Sequence, residues 1–136
     1  MTPKGQPRTR SISDGEIRVR AATARKYLEV GQVVMGQDPA ERQVAGGLAV
    51  LAAIAASDAI CGQVLGEYAR GQDHDQAATL LETVRPNGAE LAKHLARVLE
   101  HKPNAHYGTT YLTAEVVESM LYHAEQLVAA MDQHQS

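Results

Sequence analysis

The segment at residues 102–108, Lys-Pro-Asn-Ala-His-Tyr-Gly, carries several side chains that can do chemistry. His106 can ionise near neutral pH, and Lys102 adds a positive charge. Asn104 and Tyr107 add hydrogen-bonding groups, and Tyr107 also brings an aromatic ring. One hypothesis is that this segment contacts a phosphate or a nucleotide. The other is that His106 and Tyr107 form a ring pair that closes one end of a helical bundle.

A second candidate is Asp58, which interrupts a long run of small residues. A carboxylate in such a helix must be paired or must lie in a polar cleft, because burying an unpaired charge is costly. Two interpretations follow: a structural hydrogen bond to the following loop, or a functional pocket. Asp73 and His74 are the other residues that we assign to a polar pocket.

Metal and thiol chemistry are not expected. Asp73, His74 and Asp75 are residue types that bind metals, but Asp73 is explained as a helix cap and no further ligand follows at a fixed spacing. Cys61 is the single cysteine, which excludes an internal disulfide and any multi-cysteine metal site. Its small, apolar surroundings predict a buried, inert thiol. We predict no metal and no cofactor.

Charge is distributed unevenly along the 136 residues, whose formal net charge is −3. Residues 1–26 carry seven basic and two acidic side chains, a local charge of +5, which leaves −8 for the remainder. We expect residues 1–12 to form a flexible basic arm. Such an arm can attract phosphate or an acidic partner surface. It can also be a solubilising tail, or fold against the acidic remainder of a neighbouring subunit.

The elements that must position these residues are helices, because apolar residues recur at helical spacing along most of the chain. In the second helix, which starts at Asp38-Pro39, Gly46-Gly47 predicts either a kink or a close helix crossing. Asn87 and Thr113 are predicted caps, and residues 103–112 a polar loop. The predicted helices begin at residues 14, 38, 73, 87 and 113, and the second runs to Arg70.

These helices predict an all-α antiparallel bundle of about five helices, with residues 13–136 as a single domain. The basic N-terminus has no apolar run behind it, so we expect no secretory signal. Residues 43–57, the longest uncharged stretch, are too few and too weakly hydrophobic to span a bilayer. The prediction is therefore a cytoplasmic protein without a membrane role.

Three segments resemble the HEPN group, whose name abbreviates higher eukaryotes and prokaryotes nucleotide-binding. They are residues 52–61 (AAIAASDAIC), 71–77 (GQDHDQA) and 102–108 (KPNAHYG). The resemblance covers roughly residues 15–132. It implies a small bundle of four or five helices that generally dimerises.

The resemblance also bears on activity, because many HEPN proteins are metal-independent ribonucleases, including toxins of toxin–antitoxin pairs. Their motif is an arginine, four to six residues, and then a histidine at the junction before the last helix. His106 matches that histidine, but Lys102 precedes it with three residues between, and Arg97 with eight. Lysine supplies charge without the planar fork of a guanidinium. The K-x-x-A-H-Y form is closer to a branch that reads R-x-x-A-D-Y and looks non-catalytic.

The first hypothesis is therefore a homodimeric, HEPN-like interaction module that associates with a nucleotide or RNA without cleaving it and that can act beside a partner protein. The candidate contact residues are Lys102, Asn104 and Tyr107. The first alternative is a metal-independent ribonuclease that uses His106. The second is a structural or assembly protein with no role in nucleic-acid binding.

Overall fold

The computed structural model describes residues 7–70 and 74–134, and for His74 the backbone alone. The predicted all-α class is confirmed: within these residues the chain forms helices joined by short connections, plus one two-stranded ribbon. The elements are β1 (Thr9–Ser11), α1 (Asp14–Val34), α2 (Pro39–Leu65), β2 (Glu67–Ala69), α3 (His74–Glu82), α4 (Gly88–Leu99), α5 (Lys102–Tyr107) and α6 (Ala114–His134).

Helix α2 is the centre of the bundle, packed most extensively against α1 and α6. Its small side chains let neighbouring helices approach on nearly all sides. It is also long and apolar enough to cross a membrane, with a mean hydropathy of 1.9 in its most apolar window, but 72% of that window is buried within the bundle. Burial therefore accounts for its composition. Its fully buried alanines are Ala45, Ala49, Ala52, Ala53, Ala55, Ala56 and Ala59.

The Gly46-Gly47 pair lies at a close crossing in a continuous helix, which is one of the two predicted alternatives. A Cβ on Gly46 would lie 3.0 Å from Cδ1 of Leu112, just before α6. Gly62 lies at a second close contact, near the C-terminal end of α2. A Cβ there would lie 2.8 Å from Cγ1 of Ile17 on α1. A Cβ at Gly62 would clash with Ile17, whereas a Cβ at Gly46 would require the end of the Leu112 side chain to shift by a few tenths of an ångström.

The ends of α1 and α2 follow from local hydrogen bonds. Ser13 and Glu16 form a reciprocal capping box at the start of α1. Asp38 accepts a hydrogen bond of 2.8 Å from Ala40 N and caps α2, as predicted. The prediction that this helix runs to Arg70 is wrong: Gly66 adopts a left-handed conformation with φ 74°, and the chain leaves the helix to form β2.

The N-terminal region differs from the predicted flexible arm in its last residues. Thr9–Ser11 pairs antiparallel with Glu67–Ala69, and Ile12 N donates to Gly66 O at 3.3 Å. A ribbon this short leaves no alternating apolar pattern that could be recognised in the sequence. Residues 1–6 lie outside the described part of the chain.

The second half of the chain corrects two further predictions. Asn87 precedes α4 but makes no side-chain capping hydrogen bond. Most of the six-residue helix α5 falls within the predicted polar loop, and two residues separate α5 from the end of α4. Thr113 caps α6 as predicted, since its Oγ1 accepts from Val116 N at 3.2 Å. The predicted cap Asp73 lies outside the described residues.

Candidate functional site

Helix α5 is fixed to α2 by one side chain, Gln43. Its Nε2 donates to the carbonyl oxygens of Asn104 (2.7 Å) and Ala105 (3.4 Å). Its Oε1 accepts from the backbone N of Leu112 at 2.9 Å. One amide therefore satisfies backbone groups at the end of α5 and in the connection to α6. Gln43 could not be recognised from the sequence, because a glutamine in the first turns of a helix carries no motif.

His106 lies on the exposed side of this contact. Its Nε2 is 3.3 Å from the carbonyl oxygen of Gly47, and a carbonyl can only accept, so Nε2 is the donor. The other ring nitrogen, Nδ1, is then an acceptor in the neutral imidazole. The ring centroid of Tyr107 is 6.1 Å away, and Tyr107 is 81% exposed. His106 is therefore anchored to α2 by a hydrogen bond, while the ring of Tyr107 stays exposed.

Asn104 and Lys102 have different surroundings. A Cβ on Gly108 would lie 2.5 Å from the carbonyl oxygen of Asn104 and would overlap its Oδ1. The Asn104 carboxamide is therefore folded over Gly108 at the end of α5, and Gly108 must lack a side chain. Lys102 is half-buried at the first turn of the same helix. Of the four residues predicted in this segment, His106 and Tyr107 are the most accessible.

A shallow groove of about 350 Å³ runs between α2 and α5 beside these two rings. Most of its walls are apolar, so a flat ring or an apolar side chain can bind there. The apolar residues that line it are Val44, Leu48, Leu51, Ala105 and Tyr107.

Asp58 lies in a separate cleft of about 660 Å³ where α1, α2 and β2 meet. Its Oδ2 accepts a hydrogen bond of 2.9 Å from Nη2 of Arg20. Burial raises the pKa of the Asp58 carboxyl to about 6, although the Arg20 charge and hydrogen bond act in the opposite direction. The partner is thus a side chain on α1 and not the following loop.

Arg20 could not be recognised from the sequence as the partner of Asp58, because the two residues are 38 positions apart and no local pattern joins them.

The cleft and the α5 groove are two sites, not one. Asp58 and Gly47 are both on α2, eleven residues apart, which is about 16 Å along a helix. Asp73 and the side chain of His74, the other predicted members of the polar pocket, lie outside what the structure describes.

A histidine pair and the single cysteine also have unusual surroundings. His94 and His123 are half-buried and join α4 to α6 through Nδ1 atoms 2.8 Å apart. Burial, His94 and Arg97 lower the pKa of His123. Cys61 is buried as predicted, and burial raises the pKa of its thiol to about 12. Within the described residues, no group of three or more His, Cys, Asp or Glu side chains could hold a metal ion.

Comparison with known proteins gave no match, either to a family model or to a curated protein.

Proposed function

We propose that this chain is a homodimeric, HEPN-like, cytoplasmic interaction module that binds a nucleotide or RNA without cleaving it, through the surface formed by α5 and the adjacent groove of α2. One observation carries the proposal: an anchored imidazole stands beside a phenol ring that is 81% exposed. Exposed aromatic rings are stacking platforms for bases, and each such contact contributes about 1–3 kcal/mol.

The charge and shape of the surface support the same function. Lys102 brings a positive charge to α5, and His106 adds a second when it is protonated. The groove of about 350 Å³ next to Tyr107 is apolar, which suits the face of a base or of a nucleoside. Gln43 holds the short helix in place, so that little ordering is needed when a ligand binds.

The contacts of His106 favour binding over catalysis. Nε2 is engaged with the Gly47 carbonyl, which makes the ring a positioned contact group. A ribonuclease also needs a cation to stabilise the phosphate in the transition state. Arg97, the nearest arginine before His106, acts on His123 of α6, whose pKa its charge lowers. In the part of the chain that the structure describes, no hydrogen bond joins Arg97 to His106.

Exposed apolar side chains on α1 support the dimer. Val33, near the end of this helix, is 79% exposed, and Val30 on the same helix is 39% exposed. Contact with a second copy would remove this apolar surface from water. Sedimentation equilibrium should give twice the monomer mass, and a monomer at micromolar concentration would contradict this part of the proposal.

RNA binding is tested by the fluorescence anisotropy of a short, labelled single-stranded RNA. Tyr107→Ala should weaken binding by roughly 5- to 150-fold, the equivalent of about 1–3 kcal/mol, while Tyr107→Phe keeps the ring and the affinity. Tyr122→Ala is the matched control, because Tyr122 is also exposed (53%) but lies on α6. Equal affinities for the Tyr107→Ala variant and wild type would refute the assignment of the surface.

A further inference from the structure

The β1–β2 ribbon gathers three arginines on one face. In the antiparallel register Arg10 lies opposite Tyr68, and Arg70 N donates to Arg8 O at 3.0 Å, which places Arg8 opposite Arg70. Side chains two residues apart on a strand share a face. Arg8, Arg10, Tyr68 and Arg70 therefore lie on the same face of the ribbon. The three arginines are exposed.

Arg8 and Arg70 face each other as a pair of like charges. Directly opposed like charges destabilise a strand pair. Within the described residues, no carboxylate forms an ion pair with Arg8, Arg10 or Arg70. The two opposed arginines also line a polar depression of about 570 Å³, together with Pro7 and Thr9. An anion bound there would relieve the repulsion.

Glu67 and Glu16, two acidic groups that interact with ribbon residues, leave this face positive. Glu67 belongs to the opposite face of the ribbon, where its Oε2 accepts from Thr9 Oγ1 at 3.2 Å. The Glu16 carboxylate accepts a hydrogen bond from Ser13 N at 2.9 Å, and the charge of Arg10 is a minor cause of its lowered pKa. These two carboxylates are thus turned away or already hydrogen-bonded, while the side chains of Arg8 and Arg70 are exposed.

We propose that this arginine face binds the phosphodiester backbone of single-stranded RNA, with Arg8 and Arg70 contacting one phosphate and Arg10 the next. The inference rests on the proposed function in one respect, since it takes RNA as the ligand and adds a second contact surface for it. Guanidinium forks bind phosphate and carboxylate oxygens alike. RNA is favoured over an acidic protein because the ring of Tyr68 shares this face with the three arginines, and an aromatic ring beside cations can stack on a base while the cations contact the backbone. A sequence-independent contact to the backbone follows.

The test measures the affinity of a labelled single-stranded RNA as a function of salt. The Arg8→Gln/Arg70→Gln double variant should bind about tenfold or more weakly, and the slope of log K against log salt should become shallower by about 0.7, the value for one phosphate on a single strand. The control is Arg18→Gln/Lys93→Gln, which removes the same charge from exposed positions on α1 and α4. Circular dichroism establishes that each variant is folded.

The outcomes separate this inference from the proposed function. In one outcome, Tyr107→Ala lowers the affinity for RNA, but the ribbon variant binds RNA as tightly as the control variant does. The ribbon inference is then wrong, and the assignment of the α5 surface is supported. If the ribbon variant alone weakens binding, the ribbon inference is supported and the α5 assignment is wrong. If wild type binds no RNA, the ribbon inference is wrong, and the proposed function is left with a nucleotide as the ligand of the α5 surface. Polyglutamate is a further competitor. If it displaces the labelled RNA as strongly as unlabelled RNA does at equal charge, the inference is overturned, because the ligand would then be an acidic protein.

Discussion

Asp58 should make the protein less stable as the pH rises from acid to neutral. Its carboxyl is buried in the cleft beside Arg20, and its pKa is raised from 3.8 to about 6. Between these two values the folded state binds the proton more tightly than the unfolded chain does. The stabilisation is therefore complete below about pH 3.8 and is lost as the pH rises through about 6.

The magnitude follows from the two pKa values. The pKa of the carboxyl is 3.8 in the unfolded chain and about 6 in the folded protein. Complete ionisation of this group therefore lowers the free energy of unfolding by about 3 kcal/mol. About 2 kcal/mol of that loss occurs between about pH 4 and about pH 7. This is a large part of the 5–15 kcal/mol that is typical of a small domain.

The assay is urea denaturation of wild type and Asp58→Asn across this pH range. The asparagine side chain keeps the size of the aspartate but does not titrate, so the other groups cancel in the difference between the two proteins. The free energy of unfolding of wild type relative to the variant should fall by about 2 kcal/mol as the pH rises. A difference that stays constant from about pH 4 to about pH 7, or that rises, would refute the reasoning.

Three further predictions concern α2 and α5. Gln43→Met should lower the free energy of unfolding by about 1–3 kcal/mol, because Asn104 O and Leu112 N lose their hydrogen-bond partner. Urea denaturation measures this loss, and Gln63→Met is the control. The control should not lower the free energy of unfolding, since the buried amide atoms of Gln63 have no hydrogen-bond partner in the described part of the chain. Ala56→Leu should cost about 1–3 kcal/mol by overpacking the centre of α2, and an unchanged melting midpoint would count against that packing. Purified wild type should leave single-stranded RNA intact with or without chelator; chelator-insensitive cleavage that His106→Ala abolishes would establish the ribonuclease alternative.

The helices could be predicted because their signals are local. Apolar spacing placed α1, α2 and α6, and Asp38-Pro39 and Thr113 mark the beginnings of α2 and α6 through hydrogen bonds to residues two or three positions away. The signals that failed were weak ones: Asn87 has the right residue type but no capping bond. The short helix α5 escaped detection because its six residues include no buried side chain and therefore no apolar stripe.

The site was less predictable because its contacts are distant in sequence. His106 and Asp58 were recognised as chemically unusual, but their partners, Gly47 and Arg20, lie 59 and 38 residues away. The pairing of β1 with β2 likewise joins segments almost sixty residues apart, and no alternation of apolar residues predicts these strands. The opposition of Arg8 and Arg70 follows from that register and could not be derived from the charge of residues 1–26 alone.

The central claim, that α5 and the adjacent face of α2 bind RNA or a nucleotide, is tested most directly by following backbone amide resonances of the ¹⁵N-labelled protein during titration with a short single-stranded RNA. The largest shifts should fall on residues 102–108 and 43–51, with a second group in the ribbon at residues 8–10 and 68–70. Titration that leaves residues 102–108 and 43–51 unshifted, while other helices shift or nothing does, would contradict it.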